Sequence, residues 1–162
     1  ETSIDLMFSP IKYQNSESII RQSTEMGIRS IFPTIFKRTI NTKINLSKFN
    51  SYAVGAAQQS ERLSIPNIHD LNYLKNQSKI ISSKTILMFD ENLKGIHLSQ
   101  AKIKSNNEIL VVIGPEGGFE EEERVFISKS SRNFLNVSLG SNILKADTAV
   151  IAALSLTFHY FS

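Results

Sequence analysis

Residues 109–119 read ILVVIGPEGGF, a run of five apolar residues that stops at Gly114 and turns through Pro115, Glu116, Gly117 and Gly118 to Phe119. Four glutamates follow, Glu120 to Glu123. A continuous apolar run bounded by polar residues and glycine predicts a strand buried on both faces, the kind found in parallel sheets. The glycines allow a tight turn and close backbone approach, and the acids complement the dipole at the start of a helix over 120–130. A second run, TILMF at 85–89, has the same character. A third strand is expected over 134–139. It ends in Leu139 and Gly140, followed by a short polar loop and a small-residue helix over 145–158. Strands alternating with helices predict an α/β fold with a mostly parallel sheet flanked by helices. In such sheets ligands bind beyond the carboxyl ends of the strands, where both glycine loops must lie.

Working toward the amino terminus, residues 2–8 alternate loosely and read as a connecting arm or a strand. Ile19, Ile20 and Met26 fall at helical spacing over 15–26, with Gly27 placed as a helix C-cap. Short β-branched or aromatic stretches predict strands over 30–34 and 36–40. A helix is expected over 45–62, its small residues Ala53, Gly55, Ala56 and Ala57 permitting close packing, with Pro66 beyond its end. Residues 69–76 read as a short helix.

The 162 residues suit one domain, and 41% hydrophobic with 20% charged residues is the composition of a globular protein. With no cysteine in the chain, a disulfide framework, a thiolate zinc site and a cysteine nucleophile are all excluded. No apolar run reaches the roughly 18 residues of a membrane span, and no signal segment is visible, so a cytoplasmic location is expected. The net charge of +3 is compatible with an RNA partner. His69, His97 and His159 show no metal-ligand spacing, and no metal is expected.

The acids after the glycine turn argue against a phosphate cradle, which needs free amides and usually a lysine. The GxGxxG pattern is also absent. A ligand held at this loop is expected to be neutral or cationic there, as the sulfonium of S-adenosylmethionine is.

Together these segments resemble the trefoil-knot (SPOUT) methyltransferases, specifically the family that methylates N3 of a uridine in 16S ribosomal RNA. That family carries IGPEGGF followed by acids, matched in full at 113–119, and LGxRILRxETA, matched at Leu139, Gly140, Ile143, Leu144, Thr148 and Ala149. STEMG at 23–27 with Ile31 and Pro33, and AAQQSER at 56–62 with Pro66, resemble two upstream family segments. The resemblance runs from about residue 11 to 158.

It implies a C-terminal trefoil knot, a homodimer with sites near its interface, the small ribosomal subunit as substrate, and S-adenosylmethionine bent among three loops. The residues it places at the donor are Phe89, Ile113, Gly114, Pro115, Glu116, Gly117, Gly118, Leu139, Gly140, Asn142, Ile143, Leu144 and Thr148. Arg62 and Lys145 are the candidate catalytic cations, since a positive group would stabilise the anion that develops on the uracil ring. Arg21, Lys37 and Arg38 are the candidate RNA contacts. The family also carries an N-terminal PUA-like barrel, so residues 1–10 are expected to lead from such a domain into a methyltransferase domain over 11–162.

The chain departs from the family pattern at several positions. Asn142 and Lys145 stand where the family has arginines, Asp147 replaces a glutamate, Gln22 a lysine and Glu61 a glycine. Lysine keeps the charge of arginine but loses its planar fork. These departures leave open a dimeric donor- or ribosome-binding protein without turnover, and a knotted methyltransferase for another RNA nucleotide.

Overall fold

The computed structural model describes residues 2–92, 94–104 and 108–162. Its centre is a parallel sheet of seven strands among the described residues: β1 (Ser3–Phe8), β2 (Ser30–Ile35), β3 (Asn67–Ile68), β4 (Asn72–Tyr73), β5 (Thr85–Phe89), β6 (Glu108–Ile113) and β7 (Asn133–Asn136). The order is β3-β2-β1-β6-β5-β7, with β4 continuing the β3 edge along β2. The helices are α1 (Tyr13–Met26), α2 (Leu46–Gln59), α3 (Ser78–Ser82), α4 (Glu121–Ser130) and α5 (Ala146–Phe161).

The apolar runs are continuous because each strand feeds two cores. In β6, Ile109, Val111 and Ile113 face α1, α2 and α5 and pack with Ile19, Ile20, Phe49, Ala53, Val150 and Leu154. Leu110 and Val112 face the other side with Met88, Phe119, Ile81 of α3 and Ile127 of α4. The expected α/β class and parallel sheet are therefore present. Residues 2–8 take the strand alternative: β1 is hydrogen-bonded to β2 on one side and β6 on the other, at the middle of the sheet. It is an integral part of the domain core and no arm outside it.

Several local expectations are not met: residues 36–40 and the end of α2 are set by turns over a few residues, residues 69–76 by pairing to β2, and β7 stops at Asn136, short of 139. Residues 36–40 form a turn: the Phe36 N–H donates to Thr39 Oγ1 at 2.8 Å, and the Thr39 N–H returns to the Phe36 carbonyl at 3.1 Å. Residues 69–76 are no helix. The His69 N–H donates to the Ile31 carbonyl at 2.9 Å, β4 extends the edge, and only Leu74–Asn76 coils into one 3-10 turn. The helix expected over 45–62 ends at Gln59, and Glu61 beyond it adopts φ 55°. Its start is as read, with Asn45 Oδ1 accepting from the Lys48 N–H at 3.1 Å.

At the amino ends of the strands lies an ionic cluster. Asp5, fully buried in β1, accepts from Arg29 (2.7 and 3.1 Å) and lies 2.9 Å from the ammonium of buried Lys84. Glu108 joins both cations, at 2.5 Å from Arg29 and 3.4 Å from Lys84. The Arg29 hydrogen bond, aided by the nearby Lys84 charge, holds the Glu108 carboxyl below its ordinary value of 4.5. The folded state thus binds this proton less readily than the unfolded one. The stability supplied by the charged form is present above pH 4.5 and is lost as pH falls through the lower folded value. Glu108→Gln is expected to flatten the acid limb of a stability-versus-pH curve measured by urea unfolding. Superimposable limbs for variant and wild type would remove Glu108 from this role.

Candidate functional site

A cleft opens at the carboxyl ends of β5, β6 and β7, the side of the sheet opposite the ionic cluster. Its free space is about 720 Å³ counting the open mouth. Three segments build it. The first leaves β5 through Phe89, Asp90 and Glu91; the second is the glycine turn after β6; the third runs from Val137 after β7 to Ala149 in α5.

The glycine turn is shaped by backbone bonds and by what stands behind it. The Gly118 N–H donates to the Pro115 carbonyl at 2.8 Å, and Gly118 sits at φ 82°, a conformation that disfavours any residue with a Cβ. Gly114 is small for a different reason: a Cβ there would lie 2.7 Å from the buried Phe119 ring, which packs edge-on against Phe36. The helix that follows is closed by a glutamate capping box. Glu123 Oε1 accepts from the Glu120 N–H at 2.9 Å, and Glu123 Oε2 accepts from the Lys37 N–H at 2.9 Å. Glu123 is buried, so this acid is a bonded cap and no part of a solvated acidic face.

Asp90, buried at the end of β5, accepts from Arg124 Nε at 2.5 Å and from the Asn92 N–H at 3.1 Å. That hydrogen bond raises the pKa of Arg124. The pair ties the β5 loop to α4 across the back of the cleft. Glu91 and Glu116 are exposed in its wall, and among the described residues neither lysine nor arginine lines it. With Asp90 neutralised by Arg124, the remaining lining charge is negative, so the cleft favours a neutral or cationic occupant. The third segment turns at Gly140 (φ 102°), whose N–H donates to Ser138 Oγ at 3.1 Å.

Ten of the thirteen residues expected at a donor line the cleft: Phe89, Ile113, Gly114, Pro115, Glu116, Gly118, Leu139, Gly140, Asn142 and Leu144. Three do not. Gly117 backs onto Arg38, Ile143 is 85% exposed, and Thr148 is exposed with its N–H on Asp147 Oδ1 at 3.0 Å. Sequence reading missed Asp90, Glu91, Phe119, Val137, Ser138, Ala146 and Ala149, which also line it. Their signal was position, since Asp90 and Glu91 follow a buried strand as directly as Gly114 does.

The expected cations are dispersed. Lys145 is exposed at the start of α5, between the lining residues Leu144 and Ala146. Arg62 is not in the lining; its guanidinium donates to the Thr24 carbonyl and to Ser64 Oγ, and burial lowers its pKa. Arg21 pairs with Glu17 at 2.8 Å and lies 4.9 Å over the Tyr52 ring, on the α1–α2 side. Lys37 is exposed, its ammonium 3.9 Å from Glu122. Arg38 is bound to the glycine turn itself. His69 stacks on Phe32 with centroids 4.2 Å apart, and burial lowers its pKa. Among the described residues no cluster of three His, Cys, Asp or Glu could hold a metal, and no helix is long and apolar enough to cross a membrane.

Comparison with known proteins places this geometry. Residues 1–157 match the family described as RNA methyltransferase domain. Ribosomal RNA small subunit methyltransferase E of Rickettsia conorii is 31% identical over 159 residues, covering 96% of this chain and 64% of that protein. The chain therefore spans a little under two thirds of that curated relative. A putative methyltransferase of Legionella pneumophila, solved with the cofactor SAM, superposes with TM-score 0.84 at 28% identity, covering 96% of this chain and 65% of the other. The small subunit methyltransferase E of Neisseria gonorrhoeae, bound to S-adenosyl methionine, gives 0.82 at 25%, covering 95% and 64%.

Proposed function

This chain belongs to the RNA methyltransferase domain family, and we propose that it methylates N3 of a uridine in 16S ribosomal RNA of the small subunit, using S-adenosylmethionine. The observation that carries the reading is a cleft at the strand ends built from three loops, acidic in its lining and free of basic side chains. Apolar walls (Phe89, Ile113, Val137, Leu139, Leu144) fit an adenine-bearing ligand. Glu91 and Glu116 suit a sulfonium. Bound there, the donor supplies an electrophilic methyl group.

The chain's own residues position the reactants and exclude water, which accounts for much of the rate in an in-line displacement. Lys145, exposed between the lining residues Leu144 and Ala146, is the cation that in this reading stabilises negative charge developing on a uracil oxygen. Arg62 lies outside the lining of its own cleft. The homodimer belongs to the same reading, in which Arg62 would serve the cleft of a second copy. Lys37 beside the glycine turn remains an RNA-backbone contact in this reading, and Arg21 marks a second basic point on the α1–α2 side. The protein acts in the cytoplasm, where the ribosome is. The trefoil knot belongs to the same reading. Its support is the passage of residues 137 and 138 directly against the backbone of Gly95, followed by α5 packing onto α1.

Calorimetric titration of S-adenosylmethionine into the protein tests the reading, with Gly114→Ala as control. Wild type is expected to bind saturably. The variant, which must displace the Phe119 ring, is expected to lose about tenfold or more in affinity while overpacking costs about 1–3 kcal/mol of stability. Absence of binding by folded wild type would overturn the enzyme reading for this chain.

A further inference from the structure

We infer that Arg38 is a positioning residue that locks the glycine turn of the cleft; the donor-binding part of this inference rests on the function proposed above. Arg38 Nη1 donates to the Gly117 carbonyl at 2.6 Å, and its Nε donates to Glu120 Oε1 at 3.0 Å. Its aliphatic stem lies against Gly117: a Cβ on that glycine would stand 3.3 Å from Arg38 Cδ and 3.4 Å from Arg38 Cβ. The N–H on the other side of the same peptide plane, that of Gly118, donates to the Pro115 carbonyl at 2.8 Å. The Gly117–Gly118 peptide is thus held from both edges. Without Arg38 two adjacent glycines, the most permissive residues of the chain, would be restrained from one edge only.

The turn that carries Arg38 is itself fixed. Thr39 Oγ1 is 2.8 Å from Ser9 Oγ at the end of β1, and the Ser9 N–H donates to the Ile113 carbonyl at 3.3 Å, one residue before the glycine turn begins. Phe36 packs on Phe119, which ends that turn, with centroids 5.3 Å apart. The Lys37 N–H is bonded to Glu123 in the helix beyond. Residues 36–39 therefore brace the turn before it, within it and after it. Only the Arg38 bond reaches the segment between Pro115 and Phe119 that forms the cleft wall.

Arg38→Ala, Arg38→Lys, Gly117→Ala and the double variant Arg38→Ala/Gly117→Ala are compared by two readouts. The first is amide hydrogen exchange at 116–118 in the free protein. Loss of a charged hydrogen bond is expected to speed it about tenfold in Arg38→Ala, with partial rescue by lysine, which donates but cannot fork to Glu120. The second is the dissociation constant for S-adenosylmethionine, expected to rise about tenfold in Arg38→Ala. Gly117→Ala is expected to weaken binding alone and to add less on the Arg38→Ala background, where Cδ, the nearest stem atom, is gone and only the Cβ contact remains. Failure of wild type to bind the donor would strike the proposed function and leave the exchange result to decide the lock. Unchanged exchange in Arg38→Ala would overturn the inference. Unchanged donor affinity with a lower salt slope for RNA would overturn it too, and assign Arg38 to a phosphate.

Discussion

Gly95→Ala is expected to lower stability by about 3 kcal/mol, the upper range for an overpacked site. At this chain length that is a fall of roughly 6–12 °C in Tm. A Cβ on Gly95 would stand 2.5 Å from the Ser138 nitrogen and 2.6 Å from the Val137 carbonyl carbon. Both neighbours are backbone, so no side chain can swing away to make room. The two segments are also bonded to each other: the Ile96 N–H donates to the Asn136 carbonyl at 3.0 Å, and the Ser138 N–H donates to the Ile96 carbonyl at 2.9 Å. Separating them breaks those bonds and shifts Val137, Ser138 and Leu139, all in the cleft wall. Donor affinity is therefore expected to fall together with stability. Thermal unfolding and titration on the same sample check both; a variant within about 2 °C of wild type that keeps its affinity would show that the close approach is not required.

The other large effect is expected at the opposite end of the sheet. Asp5→Ala leaves Lys84, only 7% exposed, without its 2.9 Å partner, and takes from Arg29 both of its Asp5 bonds. Removing one member of a buried ion pair costs about 3–5 kcal/mol, because the remaining charge is stranded out of water. Glu108 cannot substitute fully, since its carboxylate lies 3.4 Å from Lys84 and is half exposed. The double variant Asp5→Ala/Lys84→Met is expected to recover part of the loss, an apolar pair being tolerated where a lone ammonium is not. Urea unfolding of the two variants decides it: a single variant as stable as wild type would show that the cluster contributes little.

Much was legible in the sequence because its signals are local. A strand covered on both faces must be apolar at every position, so ILVVI and TILMF identified themselves as interior strands of a parallel sheet. Glycines at the ends of those strands marked where the backbone must turn tightly, and ten of the thirteen donor residues that the family resemblance implied line the cleft. Gly27 was readable as a helix cap because capping bonds span only a few residues.

What tertiary structure decided was everything that depends on distant neighbours. Parallel pairing carries no turn signal, so nothing near residues 2–8 announces that β1 sits between β2 and β6, registered Ser3 against Glu108. Whether residues 36–40 continue as a strand depended on Thr39 meeting Ser9 and Phe36 meeting Phe119. Charged side chains were the least legible of all. Arg38, Arg62 and Lys84 look alike as cations along the chain, yet one braces a glycine turn, one donates to the Thr24 carbonyl near the end of α1, and one is buried against Asp5. The sequence by itself determined the fold class and the two glycine loops, because burial and backbone conformation act on neighbouring residues. The partner of each charge, and the need for glycine at position 95, are set by packing between segments far apart in the chain.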